Sequence, residues 1–172
     1  MKPDSPCGIV AVNRFAVTEF GRTYRGFDGV IWPDGPAEIV ERFTLPLADI
    51  DIAWATLASL DRKCELIYVC EHNIELSNPP GFVFLGYDVG VFDNSYNVFS
   101  FIVQEKNYKK SFHIDDLNEN YLFRDVHKAL EFCAERLHAS DPANAALEHI
   151  DMTDIRGVFC IFSIPASLSS QA

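Results

Sequence analysis

Long apolar runs are the first thing missing from this chain of 172 residues. No stretch approaches the roughly 20 apolar residues that a membrane-spanning helix needs. The apolar run after Cys7 stops at Asn13 and Arg14, too early for the core of a signal peptide. A cytoplasmic chain without membrane contact is the expectation. Positive charge is scarce as well: 14 Lys and Arg stand against 25 Asp and Glu, a formal net charge of −11. Such a surface repels phosphate backbones and anionic lipid, so nucleic acid is not an expected ligand, and any charged partner should be basic. The five cysteines, Cys7, Cys64, Cys70, Cys133 and Cys160, are odd in number and contain no Cys-x-x-Cys pair. That spacing fits reduced intracellular thiols better than a disulfide framework or a structural zinc site. Also missing are a Gly-x-Ser-x-Gly elbow, a phosphate loop and a dinucleotide fingerprint. No catalytic residue, metal or cofactor is therefore assigned.

What is present is apolar and aromatic. Hydrophobic residues make up 48% of the chain, including 14 Phe, 6 Tyr and 2 Trp. This length and composition suit one domain over residues 1–172, with an aromatic core and a tail from about residue 166 that is expected to fray. "CGIVAVNRFAV" reads as a strand, "TYRGFDGVIW" as its hairpin partner, and "TEFGR" as the turn between them. "EIVERFTL" alternates as a further strand. Asp49 looks like the cap of a helix carrying Ile50, Ala53, Trp54, Leu57 and Leu60 on one face. "CELIYVC" is a strand and "SNPPG" a loop.

"FVFLGYDVG" and "YNVFSFIVQE" flank a turn rich in Asp, Asn and Ser. Strict alternation places Phe82 and Phe84 on one face of the first strand, and Val83, Leu85 and Val89 on the other. Both faces are apolar, which predicts a central, doubly covered hairpin. "YLFRDVHKALEFCAERLHAS" is the clearest helix, with Val126, Ala129, Leu130, Cys133 and Leu137 as its stripe. Asp141 and Pro142 open a short helix, and "RGVFCIFSI" closes the chain as a strand. Hairpins and helices mix without regular alternation. The expected fold is α+β, a mixed, mainly antiparallel sheet with two main helices packed on it.

Three groups of residues compete for a functional role. "CGIVAV" and "YRGFDG" resemble the opening and the Arg-Gly-Pro-Asp segment of class II glutamine amidotransferases, in which the first cysteine is the nucleophile. Six residues precede Cys7, so the free amine that acts as base is not supplied, and "EHNIEL" lacks the family's substrate-binding glycine. A small residue entering a strand is the reading taken for Cys7. Cys70 and His72 share a strand face and are ligand types that zinc accepts, but no second pair accompanies them. Cys7, or this Cys70/His72 pair, is the alternative site, for an enzyme or small-ligand-binding domain. His113 with Asp115 and Asp116 has the residue types of a base and its orienting acid, but only geometry makes a dyad. The third group is acidic: Asp88, Asp93, Asp115, Asp116 and Glu119 lie around the hairpin and the approach to the helix, with Tyr96, Tyr87 and Tyr108 as candidate aromatic anchors.

"LGYDV" with its following strand, then "LNENYLF" and the amphipathic helix, resembles a group of small bacterial proteins, over about half of the chain. Its size, acidity and α+β make-up are similar to those of bacterial immunity proteins, including those of contact-dependent growth inhibition systems. The resemblance implies a protein-binding module that neutralises a basic cognate toxin, such as a nuclease, by binding and occluding it. Carboxylates would steer such a partner by charge. Asp88, Asp93, Tyr96, Asp115, Asp116 and Glu119 are the residues expected at that interface.

Overall fold

The computed structural model describes residues 7–12, 17–18, 21–22, 45–59, 64–72, 78–92, 98–100, 114–138 and 155–170. The strands are β1 (Cys7–Val12), β2 (Val17–Thr18), β3 (Gly21–Arg22), β4 (Glu65–Glu71), β5 (Val83–Phe92), β6 (Val98–Ser100) and β7 (Ile155–Ser163). Among the described residues the α-helices are α1 (Ile50–Ser59) and α2 (Val126–His138). β2 and β3 form a separate two-stranded ladder, with Val17 opposite Arg22 and Thr18 opposite Gly21, and the middle of the turn expected at "TEFGR" lies outside the described residues. The other five strands make one antiparallel sheet in the order β1-β4-β7-β5-β6. The class is α+β, as expected.

The centre of the sheet is not where alternation placed it. The last strand, β7, lies between β4 and β5, while β6 pairs only with β5 among the described residues. The unbroken apolar runs explain why. In "LIYVC" of β4 all five residues, Leu66 to Cys70, are buried, and "VF" and "IF" of β7 are buried likewise. A strand that is apolar at every position must be covered on both faces. β1 pairs with β4, and its other edge bridges to Leu45 through reciprocal bonds of 2.7 and 3.0 Å. The expected hairpin partner at 23–32 and most of "EIVERFTL" lie outside the described residues, as does the short helix expected from Asp141.

Both helices pack on one face. Ala53 of α1, with half-buried Ile50, Trp54 and Leu57, covers Ile9, Ala11, Leu66, Tyr68 and Phe162. Ala129, Phe132 and Cys133 of α2 cover Val89 and Val158. The helical stripe is therefore correct at Ala129 and Cys133, but Leu130 is exposed and Phe132 takes its place in the core. The second face buries Val10, Val12, Ile67, Val69, Phe159 and Ile161 with Leu122. Each such side chain contributes about 1.5–3 kcal/mol through its removal from water.

One local expectation changes. Residues 121–125 are not helical: Phe123 is paired with Tyr87 as an isolated bridge, and α2 begins only after Asp125. The Asp125 carboxylate accepts from the N–H of His127 at 2.6 Å and of Lys128 at 3.4 Å, the cap that a first turn requires. Within the expected tail, Ala166–Ser170 forms a 3-10 turn. Its Leu168 packs on the core and lies against Gly81, whose φ is +82°.

Candidate functional site

The site begins with a break in β5. Phe84 pairs with Phe162 and Gly86 with Ile161, so Leu85 is an extra residue and the ladder shifts. A bulge of this kind re-aims the side chains beyond it. In an uninterrupted strand, residues 84 and 87 would face opposite ways. Here Phe84, Tyr87 and Val89 share the helix-bearing face with Phe162, Cys160 and Val158, which corrects the placement of Val89 opposite Phe84. The Phe84 and Tyr87 rings meet edge to face at 5.0 Å, and Phe84 stands 5.4 Å from Phe162.

The bulge is held by the loop before α2. The Asn118 side chain donates from Nδ2 to the Leu85 carbonyl at 2.6 Å. Its Oδ1 accepts from the N–H groups of Asn120 at 2.9 Å and Leu122 at 3.2 Å. The backbone of Asn118 also exchanges bonds with Leu122 and Tyr121, and Tyr121 adopts a φ of +59° to close the turn. Gly86, at φ +144°, lies against this loop; a Cβ there would stand 2.7 Å from the Leu122 Cβ and 3.0 Å from the Phe123 carbonyl oxygen. "LGYDV" and "LNENYLF" are thus two halves of one construction.

Where the bulge ends, a cleft opens beside the first residue of α2. Its volume is about 370 Å³, and Cys70, His72, Asn78, Phe84, Tyr87, Val126, Cys160 and Phe162 line it. Phe84 is 39% exposed, a large fraction for a phenylalanine beside a core. The Tyr87 hydroxyl is pushed above its ordinary pKa, first by burial and then by the nearby Cys160 and Asp125 groups. Burial likewise raises the Cys133 thiol and the Tyr121 hydroxyl.

The structure sorts the expected site residues. Cys70 and His72 do converge, on the cleft. Cys160, which no spacing in the sequence links to them, joins them there because β7 pairs with β4. Cys7 is the first residue of β1, in register with Cys70. Asp115 and Glu119 are exposed and Asp116 half-buried, together in the 3-10 turn Ile114–Asp116 and the loop after it. The Asp116 carbonyl accepts from Arg124, which brings this acidic turn to the base of α2 beside Asp125 and the cleft residue Val126. Asp88 departs from expectation: it is only 1% exposed, on the second face, with Oδ1 accepting from Val89 N–H at 2.8 Å. A rim contact from Asp88 is therefore excluded. Asp93, Tyr96, Tyr108 and His113 lie outside the described residues. Among the described residues no group of three His, Cys, Asp or Glu side chains is arranged to hold a metal ion, and no helix is long and apolar enough to cross a membrane.

No family model matches the chain, and neither a curated protein nor a solved structure does.

Proposed function

We propose that the chain is a protein-binding module, an immunity protein that binds and occludes a basic toxin. One observation carries this reading: the bulge places Phe84 and Tyr87 together at the mouth of an open cleft, with the Asp125 carboxylate in electrostatic reach of Tyr87 and the turn of Asp115 and Asp116 bonded through the Asp116 carbonyl to Arg124, just before α2. Aromatic anchors ringed by charge are the usual make-up of a tight, fast-forming interface. With a net charge of −11, the long-range field favours a cationic partner. The cleft would receive an apolar or aromatic side chain of the toxin, and the carboxylates would pair with Lys or Arg around it.

The test uses the product of the neighbouring gene, because immunity genes stand beside their toxins. The expected result is a 1:1 complex that protects cells expressing the toxin and associates more slowly as salt rises. The double variant Asp115→Lys, Glu119→Lys should slow association about tenfold. No complex, or association unaffected by salt and by the double variant, would overturn the reading.

The convergence of Cys70 and His72 on the cleft favours one alternative, a small-ligand or enzymatic domain. A catalytic thiolate would alkylate rapidly near neutral pH.

A further inference from the structure

The register of the sheet aligns residues far apart in sequence. Cys7 of β1 stands opposite Cys70 of β4, Cys70 opposite Cys160 of β7, and Cys160 opposite Tyr87 of β5. Antiparallel partners alternate between pairs that exchange both backbone hydrogen bonds, with Cα atoms about 5.5 Å apart, and pairs that exchange none, about 4.5 Å apart. His72 N–H donates to the Val158 carbonyl and Ile164 N–H to the Leu66 carbonyl, each at 3.0 Å. Stepping by two along the ladder from either bond makes Cys70 and Cys160 a hydrogen-bonded pair. Their spacing of about 5.5 Å falls inside the span that a disulfide accepts, roughly 4.4–6.8 Å. Neither is in a disulfide, and both line the cleft. Cys160 is half-buried, whereas Cys70 is 1% exposed at the floor.

We propose that Cys70 and Cys160 form an oxidisable dithiol, which a hydroperoxide entering the cleft closes into a reversible cross-strand disulfide. The Cys160 sulfur attacks the peroxide, the O–O bond breaks, and a sulfenic acid and one water (or alcohol) form. The Cys70 sulfur then attacks the sulfenic sulfur. The S–S bond forms, the S–O bond breaks, and the departing hydroxide leaves as water with the Cys70 proton. The two thiols lose two electrons and two protons, and the peroxide is reduced.

Geometry also makes the bridge easy to reopen. Cβ atoms of directly opposite residues stand about 4.5–5.5 Å apart, at the wider end for a hydrogen-bonded pair. A relaxed disulfide needs about 3.5–4.5 Å. Closing the bond therefore draws β4 and β7 together against the packed core, and strained bridges are the readily reduced ones. The proposal does not depend on the identity of the protein partner. Cys7, on the other side of Cys70, is the competing partner.

The experiment oxidises the full reduced chain with hydrogen peroxide, blocks remaining thiols with N-ethylmaleimide, and maps peptides by mass spectrometry without reduction. A peptide pair joined through Cys70 and Cys160 is expected, with Cys64 and Cys133 still alkylated after unfolding. Dithiothreitol should restore both thiols. Cys160→Ser should remove the linked pair at least tenfold while circular dichroism stays unchanged, and Cys7→Ser should leave it intact. A Cys7 to Cys70 bridge, stable sulfinic acid at Cys160 with Cys70 still a thiol, or no reaction at either residue would each overturn the proposal. Because both serine variants are conservative and Cys70 itself is left in place, misfolding does not obscure the result.

Discussion

Gly86 and Tyr87 are chain neighbours on β5, yet they belong to regions of opposite construction. On the Gly86 side there is no spare volume: Leu122, Asn118 and the Phe123 carbonyl fill the place of a Cβ, and the Asn118 amide makes three hydrogen bonds across the loop. On the Tyr87 side the sheet opens into a 370 Å³ cleft with a part-exposed phenylalanine at its mouth. The close-packed side fixes the bulge, and the bulge fixes which aromatic rings the open side presents. Fine positioning of a site from a rigid, fully bonded neighbour is what preorganised binding requires. The same comparison can be broken at one end or the other.

Gly86→Ala should have the largest effect. The added methyl meets the Leu122 Cβ at 2.7 Å and a backbone oxygen at 3.0 Å, and neither is the far end of a flexible chain. A φ of +144° adds strain for any side chain. A loss of about 3 kcal/mol or more is expected in urea unfolding. A change below about 1 kcal/mol would mean that the loop does not close over the bulge. Asn118→Ala comes next. It leaves the Leu85 carbonyl and two N–H groups without their partner, at a cost of about 2 kcal/mol. Asn118→Asp keeps both acceptor bonds but turns a carboxylate oxygen toward the Leu85 carbonyl, so it should not rescue. Equal stability of the Asp variant and the native chain would show that the bond to Leu85 contributes nothing.

Parts of this arrangement are legible in the sequence. Continuous apolar runs mark β4 and β7 as doubly covered, and the apolar spacing of Ala129 and Cys133 marks the buried side of α2. The order of strands is not legible, because β4 and β7 are separated by almost half of the chain and no local rule pairs them. That gap hid the Cys70 and Cys160 pair, while Cys70 and His72, two apart in sequence, were visible by alternation alone. The bulge left a signal, Gly86 inside a strand pattern. Strict alternation overrode it and put Val89 on the wrong face. Asp88 was misread for a related reason: counted as acidic, it looks like a rim residue, whereas its position opposite Phe159 buries it.

Phe84→Ala should cost least in stability and most in binding. A fully buried phenylalanine loses about 3–5 kcal/mol on truncation because it leaves a cavity. Phe84 is 39% exposed at the mouth of an existing cleft, so its removal widens an opening rather than creating a void, and about 1 kcal/mol is expected. The same change removes one of the two anchors that the bulge brings together, and should weaken the protein complex at least tenfold. It also uncovers the cleft floor, so alkylation of Cys160 should quicken. A stability loss as large as that of Gly86→Ala, with Cys160 reacting no faster, would place Phe84 in the core and close the cleft. The contrast between the two sides of β5 would then vanish, and with it the argument that the tight side exists to shape the open one.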